Sequence, residues 1–446
     1  MRNLLRCRRG SVAFATVIAL IPLIGVVALG AEAGSWYVVR QHAQTAADAA
    51  AYSGGLTLAC TISASNNCDT AQDYVYRGKQ FAAKNTFCNS GESFTGCASL
   101  AAGTSQTVQI DRGSYAAGAW TSSASGSFVR AVVSQQQPTS LAGVLGLSTV
   151  NIGAQAVVEV KNPKDLCALG LGPTTSGLTI GGSSTITGNG CGLMSDNSVK
   201  YNSTPNFSGS GWAVDGVTGC IASSGHCDIS VPYNYNMLPA TDPLQVLNTE
   251  TFNSRTGNDK PLTKVTCPAS PPAGTNNCYS ATPNSSGSSA YGNMTVTNGD
   301  YVTFSAGTYI FYNATINITG GNVTGTNVTI VLLGDSSLNI NGATVSLSAP
   351  ATNSFSSDLN GVLIDDQAPN KSKNAVSISG SGTVALGGAL YFPNVDVTWG
   401  GTIQNTNTTC TEVIANTITI NGNAYLSTQN CAPGTIAHTQ VVALVQ

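Results

Sequence analysis

The sequence predicts α+β and all-β structure in one chain. A long N-terminal transmembrane helix leads into a small α+β domain over residues 56–165. A right-handed parallel β-helix, or solenoid, follows over residues 166–446. Three observations predict this. Residues 12–31 form an uncharged apolar run. A glycine-punctuated pattern of short β runs recurs in the second half. Only 9 % of the 446 residues are charged, against about 25 % in ordinary globular proteins, and Gly, Ser, Thr, Asn and Ala fill the difference. That mix suits turn-rich β structure of an extracytoplasmic protein better than a helical cytosolic enzyme.

The anchor comes first. Val12–Ala31, VAFATVIALIPLIGVVALGA, is twenty residues without a charge, the length a helix needs to cross a bilayer. Pro22 is tolerated in such a helix. Arg2, Arg6, Arg8 and Arg9 precede the run and Glu32 is the first charge after it. The basic flank puts the N-terminus in the cytoplasm and the bulk of the chain in the periplasm or outside the cell. Trp36 and Tyr37 fit an interfacial aromatic anchor. A cleavable secretory signal is the competing reading, with LGAEAGS as its cleavage site, but the apolar core of a signal is only about 7–15 residues long.

The helical signal continues past Glu32. AGSWYVVRQHAQTAADAAA holds strong helix formers and no proline, and Gly54-Gly55 supplies a C-terminal stop. One helix is therefore expected from the membrane to about Tyr52. Gln44, Ala47, Asp48 and Ala51 are its expected packing residues, the small side chains permitting close approach to a neighbour or a sheet.

Arg8–Gly55 resembles the N-terminal segment of Flp (tight-adherence) pilus-assembly TadG-like proteins. The shared features are Arg-Arg-Gly, an apolar run with an internal proline, an aromatic pair, and Gln-x-x-x-Asp-Ala-Ala at Gln44–Ala50. The resemblance covers about a tenth of the chain and implies a single-pass bacterial inner-membrane protein of the pilus-assembly system, without catalytic activity. There is one departure. Related pilin-like proteins are cut after the glycine that follows the basic residues and carry a glutamate five residues beyond. Here those positions are Gly10 and Ala15. A glutamate inside a bilayer is costly unless paired, and so marks subunit assembly. Its absence argues against cleavage at Gly10 and incorporation into a filament.

Beyond the anchor, AQDYVYRGKQFAAKN (Ala71–Asn85) has helical spacing. SQTVQIDRG (Ser105–Gly113), SFVRAVVSQ (Ser127–Gln135) and STVNIGAQAVVEV (Ser148–Val160) alternate as strands do, and Thr139–Leu147 reads as a short helix. A long helix on a small antiparallel sheet is a pilin-like arrangement.

The second half repeats. LTIGGSSTITG (Leu178–Gly188), LNINGATVSLS (Leu338–Ser348), VSISGSGTVAL (Val376–Leu386) and ITINGNAYLST (Ile418–Thr428) share apolar-x-apolar-x-Gly, then a second β run; Ile316–Leu333 is a looser copy. Alternation puts the apolar residues on one face, and glycine permits a turn with positive φ. Such units bury their apolar faces only by stacking, which favours the β-helix; a β-sandwich is the alternative. Residues 200–290 read as a loop-rich insert, with Ser270–Ser289 a long excursion from a coil.

Charge and cysteines fit this division. Residues 1–167 carry 12 basic and 8 acidic side chains (net +4), and residues 168–446 carry 6 and 13 (net −7). The overall charge of −3 implies no nucleic-acid partner. Of 13 cysteines, Cys7 precedes the anchor. The other twelve fall into close neighbours in sequence, Cys60 and Cys68, Cys88 and Cys97, Cys167 and Cys191, Cys220 and Cys227, Cys267 and Cys278, Cys410 and Cys431. An even number beyond a membrane points to disulfides in an oxidising compartment; scattered free thiols are the alternative. Zinc is not expected, because no Cys-x-x-Cys occurs and His42, His226 and His438 are far apart.

A β-helical lyase needs converging acids, often on calcium, and a base. Asp365-Asp366 is an adjacent acid pair, but neighbouring strand residues point to opposite faces, and a solvated turn at a strand end is the expected setting. Lys371 and Lys373 fall in an expected loop. Asp242-Pro243 reads as a turn or cap. Asn313 and Asn327 fit β turns. No catalytic, cofactor-binding or metal site is expected. The expected function is non-enzymatic support of tight-adherence pilus assembly or anchoring, with the lipid bilayer and other pilus-assembly or envelope proteins as partners. The alternative is a tethered surface adhesin or polysaccharide-binding β-helix.

Overall fold

The computed structural model describes residues 8–63, 69, 71–140, 142–162, 164–173, 176–222, 227, 229–252, 257–285, 288–369, 374–379, 382–402 and 409–445. The chain forms two compact units. One comprises Met1–Ala59, Asp69–Lys161 and Val442–Gln446; the other comprises Cys60–Cys68 and Asn162–Val441.

The first unit is built on helix α1, Arg8–Ser63, which is about 84 Å long at 1.5 Å per residue. A second helix, α2 (Tyr74–Lys84), starts where the Asp73 carboxylate accepts the Tyr76 N–H at 2.7 Å, a side-chain cap that satisfies an otherwise orphaned donor. Strands β1 (Ser105–Ala116), β2 (Ala119–Ser122), β3 (Phe128–Pro138) and β4 (Thr149–Lys161) follow. They form an antiparallel sheet in the order β2-β1-β3-β4, completed beside β4 by the strand Val441–Leu444. Alternation sets the inner face: Val108 and Ile110 of β1, Val129, Ala131 and Val133 of β3, and Ala156 and Val158 of β4 are buried. The three strands and the helical stretch read from the sequence all form.

Helix α1 does not end at Gly54-Gly55. It runs through them to Ser63, because both glycines lie under the sheet. A Cβ on Gly54 would meet Val129 Cγ1 at 3.1 Å, and one on Gly55 would meet Val158 Cγ2 at 2.6 Å and Val442 Cγ1 at 2.9 Å. Glycine here buys close packing rather than a left-handed stop.

The second unit is a β-solenoid of about 10 turns whose coils visit three walls in turn. Asp300–Phe304 lies on the third wall, Gly307–Tyr312 on the first and Thr315–Ile318 on the second; Asn322–Gly325, Val328–Leu333 and Ser337–Asn341 repeat them one coil on. Each strand pairs in parallel with its counterpart, Tyr301 opposite Asn322, Ile310 opposite Val331 and Asn317 opposite Asn339. Parallel coil-on-coil pairing sets aside the sandwich alternative. At the corners Gly321 has φ 67° and Asn327 φ 56°, the left-handed region that these two residue types enter most cheaply. Inward residues such as Tyr309, Phe311, Ile316, Val323 and Leu332 fill the interior.

The coils are not stacked in chain order. From Asp165–Gly170, successive coils run outward through Gly192–Ser195 and Ala213–Gly216 to Tyr233–Tyr235. The chain then crosses to the opposite end, and coils run back from Asn277–Ala281 to the long strand Thr411–Leu426. That strand pairs in parallel with Asp165–Gly170 and Leu178–Gly188, closing a seam between two halves built in opposite directions. Within Ser270–Ser289, the residues expected as an excursion, Asn277–Ala281 is a rung of the third wall.

The crossing segment, Met237–Phe252, is a strap along the outer side of the first wall. Ala240, Leu244, Leu247 and Phe252 bury against outward residues of successive coils, including Met194, Leu169, Ile414, Tyr391, Val331 and Ile310. It is pinned by polar contacts too: the Ala240 N–H donates to Asp196 Oδ1 at 2.8 Å, and Phe252 stacks on Phe355 with ring centroids 6.1 Å apart.

Candidate functional site: an anchor helix and its packing face

Helix α1 has two halves of opposite character. In the first, Val17, Ile18, Leu20, Leu23, Ile24, Val26 and Val27 are each 48–69 % exposed. Pro22 sits inside this half without ending the helix. A soluble core helix of this composition would be covered; none of the most apolar stretch is. Uncovered apolar surface of this extent is what a bilayer removes from water.

The second half is buried along one face. Ala43, Ala46, Ala47, Ala50 and Ala51 have no exposed surface, and Leu58 and Ala59 continue the row at the i, i+3, i+4 spacing of a single helical stripe. Gln44 Nε2 donates to Asp48 Oδ1 at 2.8 Å and to the Gln155 carbonyl of β4 at 3.3 Å. Of the residues expected to pack, Ala47 and Ala51 therefore lie in the buried stripe, and Gln44 and Asp48 form a bonded pair at its edge.

Between the halves, Trp36 is half-buried and Tyr37 exposed. Glu32 accepts from the Ser140 N–H at 2.7 Å and the Ala142 N–H at 3.0 Å. These charge-assisted bonds hold the turn before β4 against the helix where the apolar half ends. Arg8 and Arg9 open α1; Arg2 and Arg6 lie outside the described residues, as do Cys7, His226, Lys371 and Lys373.

These observations describe a helix that is apolar and uncovered in one half and packed into a folded unit by the other. Residues 10–64 match the Tad family, putative Flp pilus-assembly TadE/G-like. The Tad match thus spans α1 almost end to end and includes neither the sheet nor the solenoid. No curated protein and no solved structure matches the chain.

Among the described residues five disulfides join cysteines beyond the Tad segment: Cys88–Cys97, Cys167–Cys191, Cys220–Cys227, Cys267–Cys278 and Cys410–Cys431. Cys68, the expected neighbour of Cys60, lies outside the described residues. In the solenoid the four bonds sit where stacking is interrupted. Cys220–Cys227 holds Gly219–Ala222, the last strand of its wall at one end, and Cys267–Cys278 ties a hairpin at the other. Cys167–Cys191 and Cys410–Cys431 flank the seam.

Asp365 and Asp366 are not in a solvated turn. Both are fully buried in the strand Val362–Asp366, because that strand is an interior rung and the strap covers its outer side. Register puts Asp365 in the outward file with Val331 and Tyr391, and Asp366 in the inward file with Leu332, so they do not converge. Burial raises the Asp365 carboxyl to about 8 and that of Asp366 to about 7. Asp365 accepts from Gln367 Nε2 at 2.6 Å, and Asp366 from the Ala368 N–H at 2.9 Å. Glu412, also fully buried, is raised by burial and accepts the Ala437 N–H at 3.0 Å.

Asp242 does form the expected turn, its Oδ1 accepting the Leu244 N–H at 3.0 Å, but its other oxygen accepts from Tyr391 under the strap. Among the described residues no three His, Cys, Asp or Glu side chains gather as metal ligands. A hollow of about 510 Å³, lined by Glu250, Asn284, Thr308 and Phe355 among others, contains one carboxylate and no basic side chain.

Proposed function

We propose that the protein is a single-pass envelope protein of the bacterial inner membrane, with its N-terminus cytoplasmic, and that it supports assembly or anchoring of a tight-adherence pilus without catalysing a reaction. One observation carries this reading: a single uninterrupted helix joins an uncovered apolar half to an alanine-lined half packed under a sheet, and the Tad match covers that helix. The continuity couples whatever the membrane half binds to the folded unit without a flexible joint. The basic residues at the start of the chain favour the cytoplasmic side. The disulfides fit an oxidising compartment for the rest. Other pilus-assembly or envelope proteins are the partners this role requires.

The test is deletion of the gene in its native cell, with surface pili counted by electron microscopy and adhesion scored in parallel. Pili should disappear and return with the intact gene, but not with one lacking residues 1–55. Normal pili with reduced adhesion would replace the assembly role with that of a tethered adhesin.

A further inference from the structure

We infer that the turn joining β3 to β4 is a second membrane contact, its apolar tip seated in the lipid interface beside helix α1. The inference rests on the reading that α1 crosses the bilayer over residues 12–31, and adds to it a lipid-binding surface on the folded unit itself. Glu32 is the residue at which that crossing ends. Its carboxylate accepts the Ser140 N–H at 2.7 Å and the Ala142 N–H at 3.0 Å, so the turn stands at the level of the bilayer surface. The turn is tied internally. Ala142–Leu145 is a 3-10 turn. The Leu147 N–H donates to the Ala142 carbonyl and the Thr139 N–H to the Ser148 carbonyl, both at 3.1 Å, and the Thr139 hydroxyl donates to the Leu147 carbonyl. From there β4 runs along α1 away from the lipid: Gln155 meets Gln44, and Val158 meets Gly55.

Three features select lipid as the occupant. The first is exposure. Leu147 is 56 % exposed in the turn. Leu100, 40 % exposed, belongs to the turn before β1. That turn reaches the same end of the sheet, since Ser105 pairs with Gln136 and a Cβ on Gly103 would lie 3.6 Å from Pro138 Cγ. One exposed leucine is ordinary surface; two on adjoining turns, beside the end of an uncovered apolar helix, continue its apolar surface. The second is charge. The turn reads TSLAGVLGLS, and residues 93–110 and 131–158 hold no Asp, Glu, Lys, Arg or His. The charged residues of β1–β4 are Asp111, Arg112, Arg130, Glu159 and Lys161, all toward the opposite end of the sheet. Charges are costly to take out of water, and the sheet keeps them from this end. On α1 the next charge after Glu32 is Arg40, about 12 Å further along at 1.5 Å per residue. The third is the aromatic at this level. Tyr37, 64 % exposed, lies between Glu32 and Arg40, where a headgroup layer collects Trp and Tyr.

The experiment uses the full chain with Cys7→Ser, reconstituted in zwitterionic lipid nanodiscs, with one introduced thiol carrying an environment-sensitive fluorophore. Three sites are compared: Leu147→Cys in the turn, Val26→Cys in the apolar half of α1, and Ala119→Cys at the far end of the sheet. All three positions are exposed, and circular dichroism of each variant should match the native chain. Lipids brominated near the headgroup, at about 5–10 Å depth, should quench the Leu147→Cys label and its emission should be blue-shifted. That quenching should persist at about 500 mM salt, because an uncharged turn has no ion pair to screen. Lipids brominated deep in the chains should quench the Val26→Cys label, and neither lipid should quench the Ala119→Cys label. A Leu147→Cys label as water-exposed as the Ala119→Cys label, with Val26→Cys still quenched, would overturn the inference and leave the membrane crossing standing. An unquenched Val26→Cys label would remove the crossing, and the inference with it. Quenching at Leu147→Cys that needs anionic lipid, or that salt abolishes, would also overturn the inference by making the contact electrostatic.

Discussion

The phenol of Tyr391 donates to Asp242 Oδ2 at 2.8 Å, across 149 residues of sequence. Tyr391 points outward from the first wall, and Asp242 belongs to the strap laid over it. Asn248, further along the strap, lies 3.2 Å from the same phenol. One side chain on a rung thus holds two points of the segment that links the solenoid's ends. In Tyr391→Phe the ring still packs, but buried Asp242 loses its donor. The expected cost is about 1–3 kcal/mol, read by chemical denaturation, with faster hydrogen exchange confined to Met237–Phe252. Unchanged exchange there would remove the phenol from the strap's support.

Stability should fall as pH rises. Asp365 and Asp366 titrate near 8 and 7 in the folded chain and in the ordinary carboxylate range when unfolded. The folded state therefore holds more protons between the two ranges. The contribution of each group is complete below about pH 4 and lost as pH rises through its folded value, at up to about 1.4 kcal/mol per pH unit. The solenoid's melting temperature should decline between pH 5 and pH 8 and then level for these groups. Asp365→Asn should flatten that slope; a variant with the native pH profile would contradict the assignment.

Two glycines of the same helix should respond oppositely to alanine. Gly34→Ala adds a Cβ with nothing within 4 Å, so the better helix former should raise stability by about 0.5–1 kcal/mol. Gly55→Ala adds one against Val158 and Val442, and overpacking should lower it by about 1–3 kcal/mol. Melting of both variants in the same lipid checks the difference in sign.

Removing Cys410–Cys431 by paired serine substitution should weaken the seam. The expected loss is about 2–4 kcal/mol, with increased hydrogen exchange in Thr411–Leu426 rather than in the middle coils. Uniform loosening of the whole solenoid would show that the bond does not serve the seam in particular.

What the sequence reveals follows the range of the interactions. Strands β1, β3 and β4 are legible because alternation is a local property, and the coils because Leu338–Ser348 and Val376–Leu386 repeat it with glycine between. Gly54-Gly55 misleads because the same dipeptide serves a helix stop or a close helix–sheet contact, and only the facing Val158 decides which. A cue lay in the spacing, since Ala47, Ala51, Gly54 and Leu58 continue one helical stripe through the glycines. Asp365 offers no such cue. Its burial depends on a strap more than a hundred residues away in sequence, and no local pattern encodes that cover. The seam is equally hidden, because residues 411–426 meet residues 165–188 through coil order alone.

The strand Val441–Leu444 completes the sheet beside β4, yet the entire solenoid lies between them in the chain. During synthesis the outer edge of β4 waits, its N–H and C=O groups unpaired, until every coil has been made. A chain interrupted anywhere in the solenoid keeps that edge bare, and a bare edge is a template for pairing with another chain and for aggregation. The sheet that packs on helix α1 is therefore complete only once the domain inserted into it has been made.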